Sequence, residues 1–184
     1  MESRRGKRIR TSLERQPLIG KKIAYRRDVV AEDCERIRDL VTSSRFFSTH
    51  EIDVAAELVE ERLSKGLQSG YHFLFAEDGV HLLGYTCYGP IACTKDRFDL
   101  YWIVVQPKLR GKGLGRRLLA ETEILVRGLG GERIYVETSS REQYSPTRGF
   151  YVTCGYELCA TLKGFYGEGD DKMIYMKTLS PSIG

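Results

Sequence analysis

The sequence predicts a mixed α/β fold, and three observations carry that reading. Apolar residues switch between alternating and helical spacing in the order β-α-α-β-β-β-α-β-α-β-β, giving about seven strands and four helices. Residues 48–66 hold a full set of helix boundary signals. Residues 106–119, "QPKLRGKGLGRRLL", run from a β-rich stretch through alternating glycines into a leucine-rich helix. With 184 residues, 41% of them hydrophobic, the chain can bury one substantial core and is short for two.

The elements follow in order. "KKIAYRRDV" alternates weakly and is expected to form the first strand; Ile37, Leu40 and Val41 then recur at helical spacing. In "STHEIDVAAELVEERLSKG", Ser48 and Glu51 form a capping box, Ile52, Ala55, Val59 and Leu63 make one apolar stripe, and Gly66 can end the helix. "YHFLFAEDGVHLLGYTCYGPIAC" reads as two strands joined at Asp78-Gly79, because glycine accepts the positive φ of a tight hairpin. "RFDLYWIVV" is the next strand, followed by a helix with the stripe Leu114, Leu118, Thr122 and Leu125, stopping at Gly128. "ERIYVETS" is again β-rich. In "SPTRGFYVTCGY" a short helix is expected, with Ser145 as N-cap, Pro146 first in the helix and Gly155 beyond its end. "YELCATLKGFY" and "KMIYMKTL" close the order as strands around the loop "GEGDD".

Charge separates a tail from the rest. The net +4 sits in residues 1–17, where six Arg/Lys face only Glu2 and Glu14; residues 18–184 hold 23 basic and 23 acidic side chains. We therefore expect a disordered basic tail over 1–17 and a single domain over 18–184. A neutral domain with no aromatic-basic repeat argues against nucleic-acid binding outside the tail. The tail has no apolar run, so neither a secretory signal nor a membrane anchor is expected. Five cysteines with no CxxC spacing suggest reduced thiols and a cytoplasmic protein, and His50, His72 and His81 lack metal-ligand spacing, so no metal is expected.

The glycine loop carries the functional information. A strand, a glycine-rich turn and a helix place several free backbone N–H groups at a positive helix end, which suits an anion. Gly111, Gly113 and Gly115 let a ligand approach the main chain, while Lys112, Arg116 and Arg117 add charge. Phosphate is the natural guest. The two common phosphate loops are not present: GxxxxGK[ST] is absent, and GxGxxG fails because Arg116 follows Gly115.

"Arg110-Gly-Lys-Gly113-Leu-Gly115" resembles the [Q/R]-x-x-G-x-[G/A] signature of the GNAT N-acetyltransferase superfamily. "TRGFYVTCGYEL" resembles that family's later helix through Arg148, Phe150, Tyr151, Gly155 and Tyr156. The element order over residues 22–179 is also similar. The resemblance implies a mostly antiparallel, twisted sheet and acetyl-CoA as donor co-substrate. It implies donor pyrophosphate on backbone N–H groups of Gly111, Lys112, Gly113, Leu114, Gly115 and Arg116, beside Arg110, and a pantetheine arm along Ile103, Val104 and Val105. It assigns Tyr151 as the acid for the departing thiolate. Ser139 and Ser140 stand where relatives often carry an asparagine touching the donor, so Ser139 is the candidate contact there.

An alkyl ammonium of pKa about 10 must lose a proton before its nitrogen can attack a thioester. Asp99 and Glu137 are alternatives for that base, directly or through water. Strict alternation places Asp99, Tyr101, Ile103 and Val105 on one face, and Glu137 with Tyr135 and Ser139 on one face of the neighbouring strand. Glu168, Asp170 and Asp171 in one loop, and the aromatics of "TSSRFFST", are candidate acceptor contacts. None of the cysteines, Cys154 included, sits in a Cys/His arrangement, which favours direct transfer without a covalent enzyme intermediate. The expected activity is acetyl transfer to a primary amine of a small molecule or amino-acid-like acceptor. The alternatives are a peptide N-terminus as acceptor, or a non-catalytic acyl-CoA sensor. Strand pairing near the C-terminus is compatible with a homodimer.

Overall fold

A computed structural model describes residues 23–179. The basic tail read from residues 1–17 lies outside them. The chain forms β1 (Ala24–Arg26), α1 (Asp33–Ser43), α2 (Thr49–Lys65), β2 (His72–Glu77), β3 (Leu82–Pro90) and β4 (Arg97–Val105). It continues with α3 (Leu114–Gly128), β5 (Arg133–Ser139), α4 (Ser145–Thr153), β6 (Glu157–Gly167) and β7 (Asp170–Thr178). The seven strands make one sheet in the order β1-β2-β3-β4-β5-β7-β6. Among its pairs the β4–β5 contact is parallel and the others antiparallel. Among the described residues no helix is long and apolar enough to cross a membrane.

Helices cover both faces of this sheet. Ile37, Leu40 and Val41 of α1 and Ala55 and Val59 of α2 pack on Phe73, Phe75, Tyr85, Cys87 and Val104. On the opposite face α3 and α4 bury Leu118, Leu119, Val126 and Tyr151 against the strands. The capping box at α2 forms in full: the Ser48 hydroxyl accepts from the Glu51 amide at 3.3 Å, and Glu51 accepts from the Ser48 amide at 2.7 Å. Leu63, expected on the buried stripe, is exposed; the buried residues of α2 are Ala55, Ala56 and Val59.

Some boundaries match the sequence reading and others differ for local physical reasons. The β2–β3 connection spans residues 78–81 with Gly79 at φ 92°, and the Asp78 carboxylate accepts the Val80 and His81 amides at 3.2 and 3.0 Å. α3 does stop at Gly128, as its sequence predicts, and Gly130 follows in the left-handed region with φ 85°. Ser145 is the first residue of α4, not its cap, because a short helical turn over Glu142–Tyr144 leads straight into it. β6 and β7 extend through Gly167 and from Asp170, leaving only Glu168 and Gly169 as the turn.

Two irregularities shape the centre of the sheet. Cys87 pairs with Trp102 but Tyr88 pairs with Leu100, so Tyr101 is an extra residue and β4 bulges there. β4 also pairs with β5 only from Arg97↔Arg133 to Leu100↔Val136. Beyond that point Trp102–Val105 pair with β3, and Glu137–Ser139 pair with β7. The sheet is therefore split between β4 and β5.

Candidate functional site

The split opens a cleft of about 590 Å³. Its walls include Tyr101, Trp102 and Ile103 of β4, Glu137, Thr138 and Ser139 of β5, and Tyr151 of α4. Phe46, Phe47, Tyr144 and Tyr166 surround its mouth. Phe47 meets Trp102 edge-on with ring centres 4.9 Å apart, and Phe46 meets Tyr144 at 4.8 Å. The aromatics of "TSSRFFST" therefore do join the cleft.

The bulge at Tyr101 overturns the strict alternation read along β4. Phe98 and Leu100 face α3 and α4, whereas beyond the bulge Ile103 and Val105 take that face and Trp102 and Val104 turn toward α1 and α2. Asp99 thus lies opposite Ile103 and Val105, with Val54, Leu58, Tyr71, Trp102 and Glu137 around an adjoining cavity of about 330 Å³. Glu137 lines both cavities. The two candidate bases are therefore neighbours on the α1/α2 face.

Their surroundings differ. Burial raises the Asp99 carboxyl to about 6, the charge of Glu137 adds to the rise, and Lys172 opposes it. Glu137 forms an ion pair with Lys172 at 2.6 Å. Asp99 consequently holds its proton to a higher pH than an ordinary carboxyl, while Glu137 has a cation beside it.

Tyr151 sits on the opposite face, packed among Phe150, Tyr156 and Tyr175, with burial holding its phenol well above the ordinary range. It stays protonated and reaches the cleft wall. Arg148, one turn before it, donates to the carbonyls of Ser139 and Arg141 at 2.9 Å each. That contact fixes the segment between β5 and α4.

At the other end of the split the glycine loop opens α3. Gly111 and Gly113 adopt φ of 71° and 83°, and a Cβ on either would meet nothing within 4 Å. These backbones face open space. Arg117 is the first residue of α3 whose amide bonds back to the loop, to the Gly113 carbonyl at 3.1 Å. Among the described residues the amides of Gly113, Leu114, Gly115 and Arg116 have no acceptor, and no side chain caps the helix. Lys112 and Arg116 are exposed beside them, whereas the Leu114 side chain is buried beneath α3. Arg110 instead reaches back, donating to the Ser44 carbonyl at 3.4 Å near the Phe46 ring.

The free edge of β4 connects the two ends. The Gln106 amide bonds to Leu83 at 2.9 Å, so alternation turns the amide and carbonyl of Val105 and Ile103 toward the open side. Val104 turns its own toward β3.

Some predicted residues are already occupied. The Ser139 hydroxyl bonds to Asp170 and accepts the Arg141 amide at 3.0 Å, so it serves the β5–β7 corner. Asp170 also pairs with Arg141 at 3.0 Å, and Asp171 with Lys163 at 2.7 Å. Of the three carboxylates read as one loop, Glu168 stays in the turn while Asp170 and Asp171 lie in β7, and Asp170 lines the cleft. Sequence reading missed Thr138, whose buried hydroxyl has no partner among the described residues although it lines the cleft. Its only signal was its place on β5 between Glu137 and Ser139.

Comparison with known proteins agrees with this architecture. The sequence model of the Acetyltransferase (GNAT) family matches residues 34–156. A protein of Desulfovibrio desulfuricans assigned to the GNAT family as an acetyltransferase is 46% identical, over 86% of this chain and 100% of its own, with a TM-score of 0.85. The aminoglycoside 6'-N-acetyltransferase of Enterococcus faecium is 21% identical over 89% of this chain and 99% of its own, with a TM-score of 0.69. The PaiA N-acetyltransferase of Thermoplasma acidophilum, solved with coenzyme A, is 21% identical over 85% and 99%, with a TM-score of 0.64. No curated protein matches the sequence. With a family match over most of the chain and a glycine loop and split sheet to go with it, this chain belongs to the GNAT family of acetyltransferases.

Proposed function

We propose that the protein moves an acetyl group from acetyl-CoA directly to the primary amine of a small-molecule or amino-acid-like acceptor. The observation that carries this reading is the alignment of the free α3 amides with the open edge of β4 and the cleft beyond it. Amides at a positive helix end suit the donor's pyrophosphate. The exposed backbone of Ile103 and Val105 suits the amides of its pantetheine arm. Such an arm would deliver the thioester to the wall that holds Tyr151.

The acceptor enters from the other side. Phe46, Phe47, Tyr144 and Tyr166 form an apolar mouth, and Glu51, Glu137 and Asp170 outnumber Arg141 in the polar lining, which favours a cationic amine. Asp99 is the base: its proton affinity lies near operating pH, whereas Glu137 is charge-compensated by Lys172. It takes the ammonium proton through water. The neutral nitrogen then attacks the thioester carbonyl carbon; the C–S bond breaks, its electron pair goes to sulfur, and the nitrogen's second proton passes through water to that thiolate, leaving an amide and the free CoA thiol. Tyr151 donates a hydrogen bond to the developing thiolate. Because its phenol is held above a thiol of pKa about 8.5, full proton transfer to sulfur would run uphill, so stabilisation by that hydrogen bond is its role.

Melting with and without acetyl-CoA tests the donor. A ligand at 100 times its Kd adds about 2.7 kcal/mol, or roughly 5–10 °C in a domain of this size. A shift with acetyl-CoA well beyond those with ATP and dephospho-CoA is expected, after which an amine panel read by thiol release identifies the acceptor. No shift with any CoA species would remove the assignment.

A further inference from the structure

Thr138 is a polar side chain for which the free protein has no use. Only 6% of its surface is exposed, and its Oγ1 is buried without a hydrogen-bond partner among the described residues. A buried hydroxyl left without a partner destabilises the fold, because it has lost its bonds to water and gained none. Neighbouring hydroxyls show what satisfaction looks like here: Ser139 is bonded to Asp170, Ser140 accepts the Asp171 amide at 2.8 Å, and Thr86 and Thr122 bond to each other at 2.8 Å.

Its position narrows what a partner for that hydroxyl could be. Thr138 follows Ile134 and Val136 on the face of β5 that packs with Tyr151, and it pairs across the sheet with Met173. It lies past the last β4–β5 pair, where the sheet has split, and it lines the cleft with Ile103 and Tyr151. Glu137, the preceding residue, points to the opposite face with Asp99. Thr138 and Tyr151 thus flank one side of the split and the carboxylates the other.

We propose that Thr138 is a donor-binding residue whose hydroxyl is satisfied only when an acyl thioester lies in the split, by a hydrogen bond to a carbonyl near the donor's reacting end. This rests on the acetyl-CoA reading above and adds to it the residue that holds the donor's acyl end on the Tyr151 side. It also moves the side-chain contact expected of Ser139 one residue back along β5 and onto the other face.

The test pairs Thr138→Val with Thr138→Ser, because valine keeps the shape and loses the hydroxyl while serine keeps it. Removing an unsatisfied group by an isosteric apolar one is neutral or stabilising. Thr138→Val should therefore melt no lower than wild type in the free state, yet bind acetyl-CoA about tenfold more weakly by calorimetry, with acceptor KM unchanged. Thr138→Ser should bind within about threefold of wild type. Unaltered acetyl-CoA affinity in Thr138→Val overturns the proposal. So does a free-state melting temperature that falls or a variant that does not fold, since the hydroxyl would then already have a partner. Wild-type protein that binds neither acetyl-CoA nor CoA overturns the donor reading itself, a result that needs no variant.

Discussion

Asp99→Asn should make the free enzyme more stable and catalytically poor at the same time. Burial raises the Asp99 carboxyl to about 6 from an ordinary value near 3.9, so folding favours its protonated form. The sign follows from linkage: where the folded pKa lies above the unfolded one, the folded state binds more protons between the two values, and stability falls as pH rises through that window. Below about pH 4 the group is protonated in both states and contributes nothing. Above about pH 6 the full penalty applies. A shift of about two units corresponds to about 3 kcal/mol. Asp99 is only half-buried, so solvent screening reduces the cost to about 1–2 kcal/mol. Asparagine carries no such penalty and should raise the melting temperature at pH 7.5 by roughly 2–8 °C, with little gain at pH 4.

Activity should move the other way. A base of pKa about 6 is about one-tenth ionised at pH 5, so wild-type kcat/KM should rise about tenfold from pH 5 to pH 7 and then flatten as this group titrates. Asp99→Asn should lose that limb and about 10²–10⁴ of the rate, measured by thiol release at saturating acetyl-CoA. Glu137→Gln provides an internal check: removing a charge that raises Asp99 should displace the limb to lower pH while keeping its shape. If Asp99→Asn keeps both the limb and the rate, the proton acceptor is another group. If it is less stable than wild type at pH 7.5, the carboxylate makes favourable contacts that the desolvation argument omits.

Two further changes test other parts of the site and fold. Tyr151→Phe should lower kcat at least tenfold at saturating acetyl-CoA with little change in donor Kd, because the lost hydrogen bond is made to charge that develops during the reaction; unchanged kcat assigns the ring to packing alone. Gly89→Ala should cost about 1–3 kcal/mol in urea unfolding, since its Cβ would lie 2.2 Å from the Gly70 carbonyl oxygen and the backbone there must move; an unaltered midpoint would show that the Gly70 turn yields freely.

The glycine loop and the element order were legible because they rest on local chemistry. Gly111 and Gly113 occupy positive φ that few other residues tolerate, and Ser48 with Glu51 closes a helix end using only three residues of separation. Ser145 and Asp170 were misplaced because their neighbours extended an element past its nominal boundary: the turn over Glu142–Tyr144 supplied the start of α4, and β7 drew Asp170 and Asp171 into the sheet. The fate of Ser139 was not legible at all. Its partner Asp170 is thirty-one residues away, and only the β5–β7 pairing brings them together.

The bulge at Tyr101 shows most plainly why the site needed three dimensions. Nothing in "RFDLYWIVV" marks an inserted residue, because the extra position is defined by the partner strand, where Cys87 and Tyr88 face Trp102 and Leu100. Without it, Asp99 would share a face with Ile103 and Val105, and the base would stand on the side along which the donor arm is proposed to lie. With it, β4 presents Asp99 toward α1 and α2 while the residues just beyond present Ile103 and Val105 toward α3 and α4. One residue of register therefore separates the carboxylates from Tyr151 and Thr138 across the split. That separation is what direct transfer requires. In the proposed mechanism the amine loses its proton on one side of the thioester carbonyl while the thiolate is stabilised on the other, and a carboxylate placed beside the sulfur would repel the negative charge that Tyr151 is proposed to stabilise. A variant that removed the bulge, by deleting Tyr101, should retain the α3 loop and donor binding but lose transfer. Loss of both together would mean that the split, and not only the facing of β4, depends on the extra residue.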